Sequence, residues 1–157
     1  MPDRQDAIEY FLNEHEMMNS KLAELEASMR LSRERRDKDD LLKALRGLLE
    51  MKQEFKRHFK EEEKALFPPF ESYITNEGGA FMIMEHPSLI SAFNELSNMA
   101  AEGISPEDLY NGGLTLISIL KDHAGRENTI LSKLDSLSAK PLEEKVLKEL
   151  EALRARG

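Results

Sequence analysis

Four histidines, His15, His58, His86 and His123, are the only imidazoles in this chain of 157 residues. Two are followed four residues later by glutamate, His58 by Glu62 and His123 by Glu127. Residues i and i+4 share one face of a helix, one turn apart. Each His-x-x-x-Glu therefore offers a nitrogen and a carboxylate to one centre. A single inward histidine is ordinarily a core residue with satisfied hydrogen bonds. Four, one per helix and two with an acid one turn on, point to a metal site inside a helix bundle. The chain has no cysteine. Thiolate zinc sites, iron–sulfur clusters, redox thiols and disulfides are thereby excluded, and any metal is held by nitrogen and oxygen.

The elements that carry these residues show apolar side chains at helical spacing. A first helix over about 3–30 has Ile8, Phe11, Leu12, His15, Met18, Leu22, Leu25 and Met29 on one stripe, and the charged stretch 32–40 is expected to break it. A second, over about 39–67, carries Leu41, Leu45, Leu48, Met51, Phe55, His58, Glu62 and Leu66 and stops at Pro68-Pro69, since proline lacks the donor a helix needs. A connection with Asn76 and Gly78-Gly79 follows. The third helix, about 80–101, presents Met82, Ile83, His86, Leu89, Ile90, Phe93 and Leu96 and ends at Gly103. The fourth, about 106–137, opens on a capping Ser105 with Pro106 in first position. Its stripe is Leu109, Gly113, Leu116, Leu120, His123, Glu127, Ile130, Leu134 and Leu137. A short fifth helix, about 141–154, has Leu142, Val146, Leu150 and Leu153 on one side.

In an up-down bundle, residues facing each other across a hairpin are equidistant from its turn. The point midway between His15 and His58 falls in the charged first loop, and that between His86 and His123 falls at Gly103 to Pro106. The point midway between the His58/Glu62 pair and His86 falls in the second connection. All six residues can therefore meet in one layer. The two halves also echo each other: Glu14-His15 then His58-x-x-x-Glu62, and Glu85-His86 then His123-x-x-x-Glu127. Four imidazoles and two carboxylates exceed one tetrahedral zinc and suit two metals bridged by two glutamates. Donor type permits iron, manganese or zinc. With one oxo or hydroxo bridge, each metal would be five-coordinate, leaving a position for a diatomic ligand.

Glu14-His15, His58-Phe59-Lys60-Glu61-Glu62 with Leu66-Phe67-Pro68, Glu85-His86 and His123-x-x-x-Glu127 together resemble the hemerythrin-like, HHE cation-binding domain. The resemblance covers roughly residues 5–137. It implies an all-α, up-down antiparallel four-helix bundle with a non-haem di-iron centre, ligated by His15, His58, Glu62, His86, His123 and Glu127. The oxygen-carrying hemerythrins add a His-x-x-x-His pair on the third helix and an aspartate five residues after the last histidine. Here the positions four from His86 are Met82 and Ile90, and the second carboxylate is Glu127 at i+4. The ligand set is more similar to the repair-of-iron-centres proteins, which handle iron and nitric oxide under nitrosative stress; their usual cysteine-bearing N-terminal domain is not in this sequence. The expected function is a di-iron protein that binds oxygen or nitric oxide for sensing, storage or detoxification. The competing expectations are an iron donor that repairs iron–sulfur centres and a metal-free interaction bundle.

Residues 1–138 are expected to form the metal bundle and 139–157 a helical extension packed on it. Glu61, at i+3 from His58, is the alternative to Glu62. Glu14 and Glu85 are expected to face solvent or to support the ligands beside them. Met18, Met51 and Met82 read as core filler or pocket lining, and Tyr10 and Tyr110 as structural. Gly112, Gly113 and Gly125 weaken the fourth helix, for close packing or for access. Pro87 disfavours helical geometry at His86, so the third helix either kinks there or begins there, and a kink is expected because Met82 and Ile83 continue the apolar stripe. With 30 acids against 22 bases the formal charge is −8, which argues against nucleic acid or an anionic membrane as the main partner. No signal peptide or membrane span is legible. The expectation is a cytoplasmic monomer or homodimer with a small diatomic partner.

Overall fold

The computed structural model describes residues 6–71, 79–137 and 140–156. Among them are five α-helices and no strand: α1 (Ala7–Arg35), α2 (Lys38–Glu61), α3 (Gly79–Ala101), α4 (Pro106–Leu137) and α5 (Lys140–Ala155). A π-turn (Glu62–Leu66) and a 3-10 turn (Pro68–Phe70) follow α2. Asn76, Gly78 and the side chain of Leu137 lie outside the described residues, as does the boundary at 138–139.

Short polar side chains start the helices by satisfying amides that have no intrahelical partner. Asp6 Oδ1 accepts from the Ile8 amide at 2.9 Å, and Asp37 Oδ1 from the Asp39 amide at 3.0 Å. Ser105 Oγ accepts from the Asp108 amide at 3.1 Å, the cap expected from Ser105-Pro106. At the other end of the α3–α4 turn, Gly103 has φ +98°, a conformation that side chains resist.

Helix α1 is longer than its apolar stripe suggests. It runs on to Arg35, where the Arg33 guanidinium lies 4.0 Å over the Tyr110 ring of a neighbouring helix. It stops only at Arg36, in the left-handed region at φ 52°. The second helix differs too. It is α-helical only to Glu61, and the Phe67 amide then bonds back five residues to the Glu62 carbonyl at 2.9 Å. Pro68 offers no amide to Lys64 and crowds that carbonyl, so the last turn widens. Helix α3 passes unbroken through Pro87; it begins eight residues earlier, so the regular helix does not start at His86.

Helix α1 packs on α2 and α4, and α3 packs on the same two helices. Their apolar stripes form two clusters. One holds Met18, Leu22, Leu48, Met51, Phe55, Phe59, Phe93, Leu116 and Leu120. The other holds Ile8, Phe11, Leu66, Phe70, Met82, Ile130 and Leu134, closed by Val146 and Leu150 of α5. Between them lies a layer of buried polar side chains.

The glycines of α4 divide by environment. A methyl on Gly113 would overlap Sδ and Cε of the fully buried Met29, whereas one on Gly125 would meet nothing within 4 Å. Both substitutions gain the same helix propensity, about 1 kcal/mol, but only the first overpacks the core. Gly125→Ala should therefore raise the urea unfolding midpoint, and Gly113→Ala should be less stable than Gly125→Ala by about 1–3 kcal/mol. Equal stabilities would show that the Met29 side chain moves aside without cost.

Candidate metal centre

All four histidines and both paired glutamates are buried in one layer. Helix α1 supplies His15, α2 supplies His58, α3 supplies His86, and α4 supplies His123 and Glu127. Glu62 stands on the first residue of the π-turn, still one turn beyond His58. Each histidine presents Nε2 to the interior. His15 Nε2 and His58 Nε2 are 2.9 Å apart; two ring nitrogens that close need a proton or a metal ion between them.

The glutamates lie between the two histidine pairs. Glu62 Oε1 is 3.2 Å from His58 Nε2 and 3.6 Å from His86 Nε2. Glu127 turns Oε2 to His15 Nε2 at 3.6 Å and Oε1 to His86 Nε2 at 3.6 Å, and Oε1 also touches His123 Nε2. Ligand atoms of His15, His58, Glu62 and Glu127 lie within 4.8 Å of one another, and so do those of His86, His123 and Glu127. Glu127 thus belongs to two groups, each of a size that can hold one cation.

The donor set fits metal ions on a further observation. Both oxygens of Glu62 and of Glu127, and Nε2 of His86 and His123, are enclosed and find no hydrogen-bond partner among the described residues. Buried polar atoms are ordinarily satisfied, and an uncompensated carboxylate in an apolar interior is costly. Cations in this layer remove that cost. Burial pushes His86 down to about 4, and burial is also the chief reason His123 falls below the usual imidazole range. Both rings are then neutral near pH 7, with lone pairs free for a metal. Burial alone raises Glu62, but His58, His15 and His86 outweigh it and keep its carboxyl below the usual range.

Supporting side chains fix which ring nitrogen faces inward. His15 Nδ1 donates to Asn128 Oδ1 at 2.6 Å, and His123 Nδ1 to Glu85 Oε2 at 2.7 Å. Each leaves Nε2 as the lone-pair nitrogen. Arg126 clamps Glu85 from the outside. Phe59 stacks flat on His86, with ring centroids 3.9 Å apart and planes 7° apart.

Glu14 does not face solvent. It is buried, and it accepts from Tyr10 OH at 2.9 Å and from Arg57 Nη1 at 2.8 Å. Glu61 accepts from the same arginine at 2.8 Å, and its Oε1 lies 2.6 Å from the Tyr10 hydroxyl, whose single proton the two carboxylates share. That contact carries Glu61 away from the histidines and settles which acid of the Glu61-Glu62 pair points inward. Arg57 and Asn128 went unnoticed in the sequence, because a lone residue beside a ligand has no spacing pattern. Met18 lines a void against the site, while Met51 and Met82 pack in the two apolar clusters.

Comparison with known families gives a match to the Hemerythrin HHE cation binding domain over residues 6–134, and the chain belongs to that family. Comparisons with curated proteins and with solved structures gave no match. Family and side-chain groups agree on a metal-binding protein built as a helical bundle.

Two outcomes test this geometry. Replacing Asn128 with Ala frees the His15 ring to rotate or change tautomer, and metal affinity is expected to fall roughly 10–100-fold, measured by competition with a chromogenic chelator; unchanged affinity would show that His15 is oriented by other means. The second concerns the metal-free protein. Between pH 6.5 and about 4 the unfolded chain binds a proton at His86 that the folded chain refuses. Stability is therefore complete above pH 6.5 and is lost as pH falls through that window. Urea midpoints should drop with acid over this range, and drop less in a His86→Gln variant.

Proposed function

We propose that this protein holds two non-haem iron ions in an oxo- or hydroxo-bridged centre and binds oxygen or nitric oxide there, for sensing, storage or detoxification. His15 and His58 serve one ion, His86 and His123 the other, and Glu62 and Glu127 serve both. The observation that carries the reading is the position of the two glutamates. Glu127 faces histidines of both hairpins, and Glu62 Oε1 lies within 3.6 Å of one histidine from each. Donor type alone also permits manganese or zinc; iron follows from the likeness to the di-iron members of the family. In this reading the four long helices run as an up-down antiparallel bundle within residues 1–138, and 139–157 form an extension that covers one end.

Two iron ions, when bound, supply redox electrons and a coordination position for a diatomic ligand. The chain's own residues set what reaches them. Met18, Phe55, Phe59 and Leu120 wall an enclosed void of about 10 Å³ against His15, His58, His123 and Glu127. That is close to the smallest space that holds one water molecule, so organic substrates are excluded and only a ligand of very few atoms could be admitted. Beyond the metal-facing groups, Asn19 is the one polar side chain of that lining, and the rest of the wall is apolar. On the outside, a groove lined by Phe59, Lys60, Glu63 and Pro87 reaches His86 and gives an approach from solvent. The burial of every ligand favours a resident centre over a store that hands its iron to iron–sulfur proteins, which ranks iron donation second.

Protein produced in iron-rich medium should carry about two irons per chain, with an oxo-to-iron charge-transfer band that changes on adding nitric oxide. Metal should raise the melting temperature of the unaltered chain. His58→Ala and Glu127→Ala should lose both the band and the metal-dependent shift. Melting that ignores added metal in all three proteins would favour a metal-free interaction bundle.

A further inference from the structure

One surface feature is unused by the metal centre. Lys52, Lys56 and Lys60 of α2 and Lys64 of the π-turn follow one another at intervals of four residues. Lys56, Lys60 and Lys64 are exposed and Lys52 is half-buried. The row extends for about 18 Å along the helix. None of the four has an ion-pair partner within 4.0 Å among the described residues. The flanks mix neutral side chains with a few charged ones, Glu14, Arg57, Glu61 and Arg154 on one side and Glu63 on the other. Asn13, Met17 and Gln53 lie on one side of Lys56 and Lys60, and Pro87, Ile90, Ser91 and Asn94 on the other. Of the nearby acids, Glu14, Glu54 and Glu61 are engaged by Arg57, and Glu63, which borders the same groove as Lys56 and Lys60, has Oε1 3.7 Å from His86 Nδ1. Like charges four apart on a helix repel, and here three such pairs stand in succession on a chain of formal charge −8. Pairing within the helix does not account for the row.

Its position supplies a reason. His58 lies on the same turns of α2 as Lys56 and Lys60, and the row is separated from the polar layer by roughly one helix diameter, about 10 Å. We propose that the lysine row is the docking surface for an acidic one-electron carrier protein that reduces the centre, a proposal that rests on the iron reading given above. The carrier loses one electron and one ferric ion becomes ferrous; no bond is made or broken. Charge complementarity of this kind sets the encounter rate and weakens with salt. A nucleic acid is disfavoured because the rest of the chain repels a long polyanion, while a compact acidic protein meets only the row.

The test uses the iron-loaded full chain, oxidised, with a reduced [2Fe–2S] ferredoxin of net negative charge as the probe. Iron content and the charge-transfer band are recorded first, so loss of the centre is seen separately from loss of docking. Reduction followed by stopped flow should slow at least tenfold in a Lys56→Glu/Lys60→Glu variant and should slow with added salt in the unaltered protein. Reduction by photoreduced lumiflavin, small and uncharged, should change far less than reduction by ferredoxin, although Lys60 borders the groove that reaches His86. A Lys145→Glu/Lys148→Glu variant on α5 carries the same charge change elsewhere and should behave as the unaltered chain. Equal ferredoxin rates in all three proteins, or equal losses in the two variants, overturn the proposal. If the chain takes up no iron, the proposed centre fails but the surface is still decided by binding to the metal-free chain: salt-sensitive ferredoxin binding lost with Lys56 and Lys60 supports it. Tighter binding to duplex DNA or phosphatidylserine vesicles than to ferredoxin counts against it.

Discussion

Two glutamate carboxylates in the middle of an apolar bundle are the constraint on which the rest of this structure depends. Glu62 and Glu127 are buried, and the polar atoms nearest their oxygens among the described residues are imidazole nitrogens. An arrangement of that kind is unfavourable unless cations share the layer. The fold around it makes sense as a cage for cations. The apolar cluster about Phe55, Phe93 and Leu120 closes one side, and the cluster about Phe11, Leu66 and Leu134 closes the other. Helix α5 adds Val146 and Leu150 to the second cluster. Water is kept from both ends, so the attraction between the carboxylates and a bound ion is not screened as it is at a surface.

The two halves of the chain repeat the same donors, yet their supports differ. In the first half, His15 is held by Asn128, which comes from the second half. In the second, His123 is held by Glu85, itself clamped by Arg126. Glu14 matches Glu85 in sequence but has a different task. With Tyr10, Arg57 and Glu61 it ties α1 to α2 beside the metal layer. Burial raises the Glu14 carboxyl, but the hydrogen bonds from Arg57 and Tyr10 outweigh burial and hold it below the usual carboxylate range. The sequence echo therefore describes the ligands, while the residues that orient them follow the packing of each half.

Much of the bundle was legible because periodicity reports burial directly. Nearly all the stripe positions that the structure describes are buried or half-buried, and the His58/Glu62 and His123/Glu127 spacings place both acids beside the histidines. What the sequence hid has physical causes. The extension of α1 is accompanied by the contact of Arg33 with Tyr110, an interaction between residues far apart in the chain. The π-turn at Glu62 is set by Pro68, whose effect on the preceding turn a spacing argument counts only as a stop. Asn128 carries no pattern at all, since its meaning depends on which ring of another helix comes to lie beside it. Helical spacing finds the residues that face inward; it does not find the partners that reach them from a neighbouring helix.

The central claim is that this layer holds two metal ions shared by Glu62 and Glu127. Anomalous diffraction at the iron absorption edge, on crystals of the iron-loaded protein, tests it most directly. Two peaks about 3.5 Å apart are expected, one beside His15 and His58 and one beside His86 and His123, with both carboxylates between them. A single peak, or none within the layer, would contradict it.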